Sequence, residues 1–67
     1  METLIVERVE DLPDWLTSHQ VDLATEYLDD GYHIVIARRG DGESQVIPDG
    51  DLDTSVIADL MCWAVGG

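Results

Sequence analysis

The stretch YHIVIARRGDGESQVIP, residues 32–48, decides the fold. Its first half, YHIVIARR (32–39), is the strongest strand pattern in the chain, and ESQVIP (43–48) is the natural partner. Between them Gly40-Asp41-Gly42 supplies residues that tolerate positive φ, so a β-hairpin is expected. Arg39-Gly40-Asp41 spells a cell-adhesion tripeptide, but in this setting it is read as the hairpin turn.

Upstream, TLIVERV (3–9) is short and β-branched and predicts a first strand. EDLPDWL follows with helix-start chemistry: Asp11 can cap, Pro13 suits a first turn, and Asp14 favours the positive end of the dipole. At ~100° per residue Leu12, Trp15, Leu16, His19, Leu23 and Tyr27 share a face, which leaves out Val21 and Leu28. Thr17-Ser18-His19-Gln20 reads as a capping box, so residues 12–29 are expected to form a short helix and then a longer one, ended by Gly31.

Downstream, DGDLD makes a turn, and Asp53 or Thr54 can cap a last helix. There Val56, Ile57, Leu60, Met61, Trp63 and Ala64 suggest a mostly buried helix closed by Gly66. The expected architecture is one α+β domain over residues 1–67, in the order β-α-β-β-α. Its helices would pack on one face of a small, mainly antiparallel sheet. Repeats, linkers and low-complexity tracts are absent from the sequence.

Sixty-seven residues bury a small share of their surface, so the core is modest and a homodimer would help without being required. An apolar content of 45% makes a folded core credible. Charge is the outlier: fifteen Asp and Glu face three Arg and no Lys, a formal net charge of −12. Such a chain is a poor partner for nucleic acid or anionic membrane and a good one for a basic protein surface. A lone Cys62 rules out an intramolecular disulfide, and its apolar neighbours predict a buried thiol. METLIVERVE lacks a signal-peptide pattern, and no apolar run approaches ~20 residues, so a cytoplasmic protein is expected.

Chemical motifs are weak. Asp49, Asp51 and Asp53 suggest a calcium loop, but Thr54 and Leu60 occupy the positions where such a loop needs Gly and Glu. A polar turn entering a helix cap is the better reading. His19 and His33 lack zinc-ligand spacing, and Ser18, His19 and Asp22 are neighbours on one helix rather than a convergent triad. No metal, cofactor or catalytic residue is assigned, and the chain reads as a non-enzyme. Trp15 and Trp63 read as core anchors. The terminal Gly66-Gly67, with the size and acidity, resembles ubiquitin-like sulfur carriers. The order of elements departs from that family, whose fold opens with a hairpin and keeps a free tail.

VDLATEYLDD (21–30) carries the more informative pattern. Asp22, Glu26, Asp29 and Asp30 recur at helical spacing with no basic residue between them, although like charges four apart repel by a few tenths of a kcal/mol. Along a helix they stand ~5–6 Å apart, close to the ~6–7 Å between successive phosphates of one DNA strand. Glu10, Asp11 and Asp14 form a second expected group, and Glu7, Asp41, Glu43, Asp49, Asp51 and Asp53 can extend the track. An acidic coat without Lys also suits a protein of a salt-loving cell, and an antitoxin-like partner of a basic protein would share the electrostatics.

In size, charge and α+β layout the chain resembles the small phage-encoded anti-CRISPR proteins, some of which mimic DNA on type I surveillance complexes. Inhibitors of type I-C systems are the subclass suggested. That resemblance implies a partner in a Cas subunit, bound at its duplex-entry or PAM-reading surface in the host cytoplasm. The inhibitor would be a monomer or weak homodimer whose contacts are Asp22, Glu26, Asp29 and Asp30, then Glu10, Asp11 and Asp14.

Overall fold

A computed structural model describes residues 2–66. The hairpin supplies two strands, β2 (Ile34–Arg38) and β3 (Ser44–Pro48), and β1 (Glu2–Val6) lies on the other side of β2. Both pairings are antiparallel, with Val6 opposite Ile34 opposite Pro48, and Leu4 opposite Ile36 opposite Val46. Gly42 takes φ 94°, and the Arg39 N–H donates to the Glu43 carbonyl at 2.7 Å to close the turn. β1 is shorter than the 3–9 expected, because the chain turns into a 3-10 helix at Val9–Asp11.

Successive side chains of a strand point to opposite faces, and both faces of β2 are apolar. On one face Ile34 and Ile36 join Val6, Leu16 and Ala24 in a core flanked by Val21, Tyr27, Leu28 and Val46. On the other, Ala37 and Ile47 meet Leu60, flanked by Leu52, Val56 and Trp63. The α+β class and β-α-β-β-α order are as expected, but α1 (Ser18–Asp29) and α2 (Thr54–Val65) cover opposite faces of the sheet. The unbroken apolar run of β2 is the physical reason, since a strand apolar at successive positions buries both its faces.

α1 begins at the capping box: Thr17 Oγ1 accepts from the Gln20 N–H at 3.2 Å, and Gln20 Oε1 accepts from the Thr17 N–H at 3.1 Å. The Gln20 amide then donates to the carbonyl and hydroxyl oxygens of Ser44, fixing the helix start to β3. At the far end Asp30 is the C-cap and Gly31 takes φ 93°, which glycine adopts without a Cβ penalty. The inward face carries Val21, Ala24, Tyr27 and Leu28, whereas His19 is exposed, so the face expected from residues 12–27 is rotated.

Residues 12–16 form no α-helix, which corrects the expected short first helix. Leu12 is extended at ψ 134°, as the ring of a following proline demands. A single Leu16 N–H to Pro13 carbonyl contact at 3.5 Å makes one turn, and Leu16 enters the core from it. Asp11 therefore caps no α-helix.

Asp53 caps α2, its Oδ1 accepting from the Val56 N–H at 2.9 Å, and Gly66 closes it. This helix is much less buried than expected: of its residues only Leu60 is buried, and Ile57, Met61, Val65 and Cys62 are exposed. A single stripe of Val56, Leu60 and Trp63 meets the sheet, so Cys62 faces solvent. Gly67 lies outside the described residues. Among those described, no helix is long and apolar enough to cross a membrane.

Candidate protein-binding surface

Asp22, Glu26, Asp29 and Asp30 are all exposed on the outer side of α1. At ~100° per residue Asp22, Glu26 and Asp29 fall within an arc of roughly 60°, opposite the buried Ala24. The packing of Val21, Ala24 and Leu28 on the sheet aims these carboxylates at solvent.

The helix dipole makes this arrangement unfavourable within the chain. Carboxylates stabilise a helix at its N-terminus and cations do so at its C-terminus. α1 has no acidic residue in its first turn and no basic residue in its last, where Glu26, Asp29 and Asp30 accumulate.

Nor do the three arginines relieve it. Arg8 pairs with Glu10 at 3.4 Å and Asp11 at 3.7 Å. The Arg38 guanidinium lies 4.8 Å from the Trp15 ring centroid. Arg39 donates from Nε and Nη2 to the Asp41 carboxylate at 3.1 and 2.7 Å, donates from Nη1 to the Trp63 carbonyl at 3.1 Å, and lies over the Trp63 ring. Among the described residues no ion pair reaches α1.

The second expected group divides. Glu10 and Asp11 sit on the 3-10 turn that contacts α1, but Arg8 already engages both. Asp14 is exposed in the bend before α1. Of the loop acids, Asp41 is held by Arg39 and accepts the Glu43 N–H, and Asp53 caps α2. Asp49 and Asp51 are exposed on a 3-10 turn whose start is tied to the end of the α1–β2 loop by the Asp49 N–H donating to the His33 carbonyl at 2.7 Å. Tyr32 packs against Gly50, where a Cβ would meet its ring carbon at 2.8 Å. This end of the molecule therefore joins Asp49 and Asp51 to the C-terminal acids of α1.

Sequence reasoning missed the two Arg–Trp stacks, because their partners are remote in the chain. Trp15 is exposed rather than a core anchor, and Trp63 is half-buried. A hollow of about 160 Å³ lies beside Trp15, lined by Leu4, Ile36 and Arg38 among others. Among the described residues no three His, Cys, Asp or Glu side chains gather as a metal cage requires.

Comparison with protein-family models finds no match, and comparison with curated proteins and with solved structures finds none either.

Proposed function

We propose that this chain is a non-enzymatic acidic inhibitor that occupies the nucleic-acid site of a basic protein. The observation that carries the reading is the row Asp22, Glu26, Asp29 and Asp30: exposed, without an internal counter-charge among the described residues, and with three of its four members at the C-terminal end of the helix, where carboxylates are unfavourable. A site that violates local electrostatics without internal compensation is where function is expected. Lys and Arg that neutralise phosphates on the partner would meet carboxylates instead, and Arg can fork onto each one bidentately. Association would be fast and salt-sensitive, as for other complementary charged surfaces.

Within that class the anti-CRISPR reading is the most specific: a Cas subunit of a type I complex, possessing a duplex-binding surface, is the proposed partner. The test is capture by the immobilised chain from a CRISPR-bearing bacterial lysate, washed at low and then moderate salt. Recovery of a basic DNA-binding complex, competed by duplex DNA and lost as salt rises, supports it. No partner at low salt, with a fold that forms only in molar salt, replaces it with the acidic coat of a salt-adapted protein.

A further inference from the structure

Several of the exposed apolar side chains lie around one strand, apart from Val9, Tyr32 and Val65. Leu4 and Trp15 lie on one face of β1, where both line the hollow beside Arg38, and Ile5 is 70% exposed on the other face. On that second face the handedness of the chain adds Ile57 and Met61. With α2 towards the viewer and β2 pointing up, L-residues direct the N–H groups of Val35, Ala37 and Arg39 to the right. The Arg39 N–H bonds to Glu43, so β3 is on the right and β1 on the left. α2 rises from beside β3's end to Trp63 beside Arg39, and its right-handed winding turns Ile57 and Met61 to the left, towards Ile5.

The edges of the sheet are unequal. β3 carries Ser44 and Gln45 and ends in Pro48, whereas β1 has no Lys, Pro or bulge, and its one charge, Glu2, stands at its first position. Because the odd residues of β2 bond to β3, the even ones bond to Glu2, Leu4 and Val6 of β1. The N–H and C=O groups of Thr3 and Ile5 therefore point to the open edge.

We infer that this edge pairs with β1 of a second copy of the chain, antiparallel about a two-fold axis at Leu4. Thr3 of each copy bonds Ile5 of the other, Leu4 faces Leu4, and each Glu2 lies beside a Val6 rather than another carboxylate. The five-residue strand overlaps itself completely in this register. Leu4, Ile5, Trp15, Ile57 and Met61 expose on the order of 500 Å² per copy, divided between the two faces that flank this edge. Covering all of it on both copies corresponds to the ~1,000 Å² at which a specific interface begins. The α1 carboxylates stay on the outer surface of each copy, so the acid rows do not meet in the interface.

The test combines sedimentation with cross-linking. Unsubstituted chain is expected at twice the protomer mass, with Thr3 and Ile5 amide protons protected from exchange, and Ile5→Lys is expected at protomer mass with its fold intact. Leu4→Cys combined with Cys62→Ser is expected to form an intermolecular disulfide, since facing residues of a non-hydrogen-bonded pair stand ~4.5 Å apart. Thr3→Cys in the same background is expected not to, its partner lying beyond the ~7 Å limit. A protomer mass at every concentration, or open-edge amides that exchange freely, overturns the inference, as does an edge occupied only by an extended segment of another protein. Self-association of this kind strengthens as salt screens the net charge, whereas binding to a basic partner weakens, so either reading can fail without the other.

Discussion

Arg39 grips Asp41 with two hydrogen bonds, from Nε to Oδ1 at 3.1 Å and from Nη2 to Oδ2 at 2.7 Å, across the hairpin turn, while its guanidinium covers the Trp63 ring at 4.8 Å. One side chain thus closes the hairpin and ties it to the end of α2. Those hydrogen bonds from Arg39, followed by the Glu43 N–H, hold the Asp41 carboxyl below its ordinary range. A carboxylate whose folded pKa is depressed contributes stability above its unfolded pKa and loses it as pH falls through the folded value. Asp41→Asn is therefore expected to be less stable than the parent at neutral pH, the gap narrowing below about pH 4 as Asp41 protonates in the parent. Paired thermal melts across the acid range read the difference directly.

The capping box gives a second prediction. Thr17→Ala removes the oxygen that accepts the Gln20 N–H and should cost about 1 kcal/mol. Gln20→Ala should cost more, because the Gln20 side chain accepts the Thr17 N–H through Oε1 and also donates from Nε2 to Ser44 on β3 at 3.1 and 2.9 Å. Urea midpoints of the two variants check the order. Equal losses would mean that the link to β3 adds nothing.

What was legible follows from how local each signal is. The hairpin, the capping box and the Asp53 cap are each contained in a few consecutive residues, and all are present. Leu12 and Leu16 face the core as their spacing predicts, but a turn at Pro13 carries them there rather than a helix. Opposite-face packing was available in IVIA, residues 34–37, whose apolar side chains alternate between faces. The exposure of Cys62 and Trp15 was not available, since it depends on how little of the sheet α2 covers and on Arg38 meeting Trp15 across the fold. The acid row was visible by spacing, yet its isolation from every arginine emerges only once all three are placed.

Ile34 is fully buried at the centre of the α1-side core. Ile34→Ala should cost ~2–5 kcal/mol, a large share of the stability of a domain this small. Denaturant unfolding should show a sharply lowered midpoint. By contrast Ile57→Ala, at an exposed position on α2, should stay within about 0.5 kcal/mol of the parent in the monomer.

Charge reversal on α1 separates binding from folding. Glu26→Lys with Asp30→Lys breaks up the like-charge spacing and places cations at the negative end of the helix dipole, a gain of roughly 0.3–1 kcal/mol per site at low salt. The double variant should therefore melt higher than the parent, with the advantage shrinking as salt rises. Under the proposed function the same variant should lose its basic partner, because the partner's cations would meet cations. Higher stability with lost binding is an outcome that partial unfolding cannot imitate. Higher stability with binding unchanged would mean that these carboxylates are not the contact row, and that the acids serve hydration of the surface instead.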